Sequence, residues 1–227
     1  MHGYMKIPEL KRVCHAMEIS INEYLVSVYI WSVYTECLHG MPSKCPIRVA
    51  VPVNLRPYFN SITTKNFFVM VSAEFHPTKE TYTFAEVAEI VKESLRSQIN
   101  RENLEKLFSY NVSNEKLLIA RVVPLFLKNL AMKYVYTTSA LANTATITNI
   151  GNISVTEEYR PYVEMFHAFL AMSKGQHLKG TICSYGDTLV FSFSYDLVDA
   201  SVQRGFFRKI ASDGIAVEIK SNGVNYE

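Results

Sequence analysis

The chain has 227 residues, of which 48% are hydrophobic and 19% are charged. This composition excludes an intrinsically disordered chain and supplies enough apolar surface for a sizeable core. Lys and Arg together number 23 and Asp and Glu 21, so the charge balance gives no general reason to expect a nucleic-acid-binding protein. No apolar run approaches the roughly 20 residues that a membrane-spanning helix needs. The first residues also lack the continuous apolar region of a signal peptide.

The four cysteines are isolated from one another and from metal-ligand patterns. None forms a C-x-x-C pair, and none stands near two histidines at ligand spacing. Such cysteines are typical of reduced thiols in a cytosolic protein. We therefore expect a cytoplasmic protein without a metal site.

The first half of the chain alternates between helix and strand signals. Ser20 stands three residues before Glu23, which is the spacing of a capping box and predicts that a helix begins here. The apolar residues of this helix cover most of its circumference, which indicates a buried helix. The predicted elements are a helix over 6–16, a helix over 20–39, a strand over 47–53, a strand over 66–75 and a helix over 83–101.

The second half begins with a further helical region and then becomes mostly strand. Ser113 and Glu115 are predicted to open this helix, which continues through Tyr136 with a bend at Pro124. Strands are predicted over 145–150, 164–172, 178–184 and 188–195, followed by a helix over 199–210 and a strand over 215–220. Since no repeat or linker is visible, residues 1–227 are predicted to form a single α/β domain.

Self-contained catalytic motifs are missing from the sequence. None of the six histidines is followed four residues later by Asp, and there is no G-x-S-x-G, phosphate-binding glycine loop or H-E-x-x-H. His76 has Glu80 at that spacing, but Pro77 follows it directly, so a loop histidine is the better interpretation. His167 is interpreted as a sheet-face residue, and Asp199 as a helix cap. We therefore assign no catalytic residue and no metal ligand within this chain.

Several segments, in order, resemble one protein family. They are Val51-Pro52-Val53-Asn54-Leu55-Arg56-Pro57 with Asn66-Phe67-Phe68, then Thr148-Asn149-Ile150-Gly151, then the hairpin from Ser184 to Asp196, and the helix from Ser20 to Trp31. Together they are similar to the CoA-dependent acyltransferase superfamily, which includes alcohol acetyltransferases, condensation domains and chloramphenicol acetyltransferase. Many relatives have Gly-Asn where this chain has Lys65-Asn66, so the local turn is expected to differ.

The resemblance covers nearly the whole chain and implies a specific fold. It is a chloramphenicol-acetyltransferase-like two-layer sandwich with a large mixed sheet and helices mainly on one face. Two-domain members carry an HHxxxD motif in their first domain, and the second histidine of that motif is the general base. This chain is equivalent to the second, C-terminal domain and contains no HHxxxD. Leu197 and Val198 stand in the region where single-domain members carry their histidine motif, so this half is expected to be inert alone.

The resemblance also implies roles for particular residues. In relatives, an arginine of the second domain's Asn-x-Arg turn pairs with the motif aspartate, so Arg56 is expected to position the motif loop at the domain interface. A guanidinium suits this role because it binds carboxylates bidentately and keeps its charge. Asn54 is expected to support the turn through local hydrogen bonds. In this half alone, Arg56 is expected to project from the end of the sheet, and its loss to change stability little.

A second group of residues is expected to line the interdomain tunnel. Thr148 and Asn149 end a strand that borders the tunnel in relatives, and Gly151 supplies permissive backbone angles beside them. The resemblance implies no permanently bound cofactor. It implies acyl-CoA as a co-substrate of the complete enzyme.

Three functions are consistent with the sequence. The first is the C-terminal half of an enzyme that moves an acyl group from CoA or carrier-bound pantetheine to an alcohol or amine. The second is a non-catalytic, condensation-like domain that docks a carrier protein. The third is a stand-alone trimeric acetyltransferase, against which the missing histidine motif argues. The expected partners are a missing N-terminal domain and acyl-CoA or a carrier protein, without nucleic acid or a membrane span, and the exposed docking face is expected to permit self-association.

Overall fold

The computed structural model describes residues 1–116, 123–173 and 175–222. Within these ranges seven strands form one mixed sheet in the order β3-β2-β4-β5-β6-β1-β7. Strands β2, β4 and β5 are mutually parallel, and the other neighbouring strands pair antiparallel. The strands are β1 His2–Lys6, β2 Ile47–Asn54, β3 Phe68–Phe75, β4 Ala145–Ile153, β5 Leu178–Tyr185, β6 Thr188–Tyr195 and β7 Val217–Lys220.

The central helix of the second layer is the one that the capping box predicts. Ser20 Oγ accepts a hydrogen bond from Glu23 N at 3.1 Å, and Glu23 Oε2 accepts one from Ser20 N at 2.7 Å. This helix, α2, packs against α4, α7 and β2. The helices are α1 Ile7–Ala16, α2 Ile21–Glu36, α3 Arg56–Phe59, α4 Phe84–Gln98, α5 Arg101–Lys116, α6 Leu125–Leu141 and α7 Ser201–Ser212. In the described ranges, no helix is both long and apolar enough to cross a bilayer.

The two faces of the sheet differ in what covers them. In β2 and β3, alternate residues such as Val49, Val51, Val69 and Val71 are buried in the core that the helices share. Their neighbours point to the second face, because successive strand residues alternate between the faces. The α/β sandwich with a large mixed sheet is therefore confirmed, and we call the side away from α2 the second face.

The prediction of a strand over 164–172 is wrong, because these residues form no regular secondary structure. Residues 164–173, here named the crossing segment, run across the second face instead. Tyr4 Oη and His167 Nε2 are 2.8 Å apart, Cys183 Sγ donates to Phe166 O at 3.1 Å, and Lys179 Nζ donates to Ala171 O at 2.8 Å. The segment is therefore held against the sheet by side-chain and backbone contacts, and it is not a strand within the ladder.

Two further elements differ from the sequence prediction. Strand β1 was not predicted, because its partners β6 and β7 lie at the far end of the chain. Helix α5 begins at Arg101, well before the helical start expected at Ser113, and buries Leu104. Residues 117–122 of the helix predicted over 113–136 lie outside the described residues. Beyond them, α6 begins at Leu125, directly after Pro124.

Candidate functional site

A cavity of about 450 Å³ opens on the second face, where β3, β2 and β4 are adjacent. Its position follows from the register, since Asn54 pairs with Phe68 and Pro52 with Met70. We call it the site cavity. Its lining combines four polar residues of the predicted site with one further hydroxyl and four apolar neighbours: Asn54, Arg56, Thr148 and Asn149, then Thr146, then Pro52, Phe68, Met70 and Leu170.

The Asn-Leu-Arg-Pro turn places two of these residues at the carboxyl end of β2. Leu55 is fully buried and fixes the turn to the core. Pro57 lies in the first turn of the short helix α3, where its missing N–H costs no hydrogen bond. Asn54 Oδ1 accepts a hydrogen bond from the backbone N of Arg56 at 3.1 Å and a second from Arg56 Nη1 at 3.1 Å. The turn therefore directs Asn54 and Arg56 toward the same cavity.

The Arg56 guanidinium also holds the loop that follows α3. Its Nε donates to Thr63 O at 2.8 Å and its Nη2 donates to Lys65 O at 2.6 Å. With the bond to Asn54, three of the five guanidinium N–H donors are used. Arg56 is thus more than an ordinary surface arginine of this half, and these hydrogen bonds predict a larger effect of its loss on stability than the sequence suggests.

The second pair of residues comes from β4, which is parallel to β2. Thr148 and Asn149 lie just before a register shift between Asn149 and Asn152. Asn149 Oδ1 accepts a hydrogen bond from Gly151 N at 2.8 Å, and Gly151 has a φ of 85°, which glycine adopts without strain. Gly151 thus shapes this bulge, but it does not line the site cavity.

The chemistry of the site cavity is that of binding rather than of proton transfer. Of the described residues that line it, Arg56 is the one with a charged side chain, and the others offer hydroxyl, amide or apolar groups. None of these groups accepts a proton near neutral pH, since guanidinium stays charged and hydroxyls and amides are very weak bases. The arrangement can hold and orient a ligand, and a general base has to come from elsewhere.

Two histidines pair with carboxylates outside the cavity. His76 Nε2 lies 2.6 Å from Glu74 Oε1, and Arg48 Nη2 donates a hydrogen bond to the same oxygen at 2.6 Å. The hydrogen bond from Arg48 is the main reason why the pKa of Glu74 lies below its usual value. His177 Nδ1 lies 3.0 Å from Asp196 Oδ1. The sequence did not reveal this second pair, because the two residues are far apart along the chain and meet at the ends of β5 and β6.

Neither pair lines the site cavity, since Glu74, His76, His177 and Asp196 are absent from its wall. The His177 side chain is 60% exposed. Among the described residues, no group of three or more His, Cys, Asp or Glu side chains could hold a metal ion.

A larger cavity, of about 730 Å³, opens at the other end of the sheet beside β1 and β7. Two of its cationic groups are already paired, since Lys6 binds Asp187 and Lys220 binds Glu218. It contains none of the site residues that the sequence predicts, although His167 lies in its wall. We therefore place the candidate site in the smaller cavity, where the predicted residues meet.

Large apolar side chains are exposed beside the cavity and on one helix. Phe68 and Met70, at the cavity wall, are 48% and 45% exposed. Helix α6 exposes apolar residues around its circumference. Five of them are at least 65% exposed: Leu125, Phe126, Leu130, Met132 and Tyr134. A helix that is apolar on all sides is normally buried, so this surface is typical of a contact with another polypeptide.

Comparison with known proteins identifies the fold but no close relative. No protein-family model and no curated protein matches the chain. Among solved structures, trichothecene 15-O-acetyltransferase from Fusarium sporotrichioides has a TM-score of 0.61 at 12% identity, covering 94% of this chain and 46% of that one. The epimerization domain from the third module of tyrocidine synthetase B has a TM-score of 0.58 at 11% identity, covering 94% and 47%.

A third structure agrees with these two. Polyketide synthase associated protein 5 from Mycobacterium tuberculosis has a TM-score of 0.56 at 11% identity, covering 93% of this chain and 51% of that one. The chain spans about half the length of each of these three proteins. It therefore has the fold of the CoA-dependent acyltransferases and condensation domains.

Proposed function

We propose that this chain is the C-terminal half of a two-domain acyltransferase. The complete protein transfers an acyl group from CoA, or from carrier-bound pantetheine, to an alcohol or amine. The observation that carries the proposal is the meeting of Asn54, Arg56, Thr148 and Asn149 in one cavity. These residues come from two segments almost 100 positions apart, and each was singled out from its own motif.

The state of Arg56 supports a missing partner for this half. Three guanidinium donors bind oxygens of Asn54, Thr63 and Lys65, and no described residue supplies a carboxylate to the remaining two. A buried aspartate from a preceding domain is the kind of acceptor that the unused donors fit, because a carboxylate accepts two parallel N–H bonds. Arg56 would then act as a positioning residue for the loop that carries the general base.

The exposed apolar surface supports the same conclusion. Helix α6 and the cavity wall at Phe68 and Met70 present large apolar side chains to solvent in this half alone. Covering this surface with a second domain is favourable, because apolar area is removed from water. Without the second domain, the same surface favours self-association.

The proposed roles of the two domains follow from the groups present in the cavity. The general base of the preceding domain deprotonates the acceptor hydroxyl or amine, whose lone pair attacks the thioester carbonyl carbon. The thiolate then leaves and takes up the proton that the general base removed from the acceptor. The residues of this half bind the acyl donor and hold the base loop in place, since the cavity itself contains no group that accepts the proton.

The test compares this chain alone with the chain joined to the protein encoded directly upstream of Met1. We expect no thiol release from acetyl-CoA with alcohols, amines or chloramphenicol for the chain alone. Thiol release by the joined protein, lost when the second histidine of an upstream HHxxxD is replaced by alanine, is the expected result. An upstream domain with a degraded motif and carrier-protein binding without thiol release would favour the interaction domain instead.

A further inference from the structure

Two histidines attach the crossing segment to the sheet. His2 lies on β1 and His167 on the crossing segment, and their ring centroids are 4.6 Å apart in an edge contact. His2 Nδ1 lies 2.9 Å from Ser192 Oγ on β6, and His167 Nε2 lies 2.8 Å from Tyr4 Oη on β1. We call His2 and His167 the histidine pair. Each of the two rings thus has one nitrogen bound to a hydroxyl of the sheet, and the rings also contact each other.

A third ring of the crossing segment covers His2 further. The centroids of Phe169 and His2 are 4.8 Å apart, again in an edge contact. Burial is the largest cause that lowers the pKa of His2 to about 4, and the neighbouring His167 is the second. Both causes involve the crossing segment, because the rings of His167 and Phe169 lie against His2. A neutral His2 packs well here, whereas a charged His2 does not.

The charges around the histidine pair do not compensate a proton on His2. Two cations and two carboxylates of the described residues lie near the pair: the Met1 ammonium and Lys220, then Glu164 and Glu218. The ammonium group disfavours a charge on His2, and Lys220 is the register partner of His2 in β7. Glu218 is bound to Lys220 at 3.2 Å, and β6 contributes only the neutral hydroxyl of Ser192. No carboxylate of the described residues forms an ion pair with His2.

Proton binding by His2 is therefore linked to the position of the crossing segment. With the segment on the sheet, the pKa of His2 lies well below its usual value of 6.5. With the segment lifted, His2 is exposed and its pKa returns toward that value. The lifted state then binds a proton more tightly, so its population grows as the pH falls through the range between the two pKa values.

The crossing segment forms walls of both cavities on the second face. Leu170 belongs to the wall of the site cavity, and Glu164, Met165 and His167 belong to the wall of the larger cavity. The segment also covers Cys183, whose Sγ donates to a backbone oxygen of the segment at 3.1 Å. Because the segment is no strand of the sheet, it can lift without breaking any strand pairing.

We propose that the histidine pair is a pH-sensitive contact, which holds the crossing segment on the sheet at neutral pH and releases it in mild acid. Release removes Leu170 from the wall of the site cavity and opens that cavity toward solvent. The proposal concerns access to the cavity and not the chemistry within it. It therefore stands or falls separately from the proposed function.

The test measures how fast Cys183 reacts with a pyridyl disulfide, a thiol reagent that stays reactive in acid, with the sites read by mass spectrometry. Cys183 is 1% exposed beneath the crossing segment, whereas Cys45 is exposed and reports how pH alone changes thiol reactivity. From about pH 7 to about pH 5, the ratio of the Cys183 rate to the Cys45 rate should rise about tenfold in this chain. Cys14, 3% exposed in the helical layer, should keep a constant ratio to Cys45.

The matched variant combines His2→Asn with His167→Gln, whose amide groups can keep the bonds to Ser192 and Tyr4 but take up no proton. The rise in the Cys183 ratio should disappear in this variant. It should remain in His15→Asn, which changes an exposed histidine of α1. If the double variant does not fold, His2→Asn alone should still reduce the rise.

Three results would overturn the inference. The first is a Cys183 ratio that stays constant with pH in the wild type. The second is an equal rise in the wild type and in the His2 variants. The third is a parallel rise for Cys14, because the whole fold would then open in acid and not the crossing segment alone.

Discussion

Arg56 offers the sharpest test, because it has two separable roles. It holds the loop after α3 in this chain, and we propose that it positions the general-base loop in the complete protein. In this chain its side chain makes three hydrogen bonds, to Asn54 Oδ1, Thr63 O and Lys65 O. The residue is half-buried, so water partly replaces each bond when the guanidinium is lost. At roughly 0.5 kcal/mol for each of these bonds, Arg56→Ala should lower the free energy of unfolding by about 1–2 kcal/mol. This corresponds to a melting temperature about 2–8 °C lower.

The assay is thermal unfolding of the chain with Arg56→Ala and Arg56→Lys, beside Arg208→Ala at an exposed position of α7. The lysine variant should recover only part of the stability, because an ammonium group cannot reproduce the planar fork. The control should stay within about 0.5 kcal/mol of wild type. In the protein joined to its upstream domain, both Arg56 variants should lower kcat more than they change KM. A neutral Arg56→Ala in both assays would refute the reasoning about this residue.

Three further predictions follow from other parts of the structure. Burial alone would raise the pKa of Glu23, but hydrogen bonds from Arg96 and from the capping box outweigh burial and lower the pKa. The Glu23 carboxylate therefore stabilises the fold at pH values above its unfolded pKa. This stabilisation is lost as the pH falls through its folded pKa. The melting-temperature difference between wild type and Glu23→Gln should therefore shrink on titration from about pH 7 to about pH 3; a constant difference would contradict this. Gly180→Ala should destabilise the chain by about 1–3 kcal/mol, measured by urea unfolding. The reason is that the added Cβ would lie 2.6 Å from Phe191 Cζ, and Phe191→Leu in the same chain should restore part of the loss. Finally, His177→Ala should leave thiol release by the protein joined to its upstream domain unchanged, and a loss of thiol release in this variant would show that His177 takes part in catalysis.

Features that depend on a few neighbouring residues were predictable from the sequence. The capping box of Ser20 and Glu23 predicted where α2 begins, and its apolar circumference predicted its burial at the centre of the helical layer. The Asn-Leu-Arg-Pro motif predicted a turn after β2, because proline and asparagine constrain the backbone locally. The α/β fold class followed from the same local signals, taken in order along the chain.

Features that depend on distant contacts were decided by the tertiary structure. Strand β1 is held by β6 and β7, which lie more than 180 residues away, so its own five residues carry little strand signal. Residues 164–172 have a strand-like pattern but find no ladder partner in the described part of the chain. They lie on the face of the sheet instead, held by contacts such as those of His167 with Tyr4 and of Phe166 O with Cys183.

The site combines both kinds of information. The sequence by itself singled out Asn54 and Arg56 at the end of β2, and Thr148 and Asn149, which were expected to end a strand but lie within β4. Only the parallel pairing of β2 with β4 brought them into one cavity, because register is set by the whole sheet and not by either motif. The contact between His2 and His167 and the bond between His177 and Asp196 were likewise visible only in three dimensions. Whether a polar side chain has a partner depends on groups that the fold brings together from remote parts of the chain.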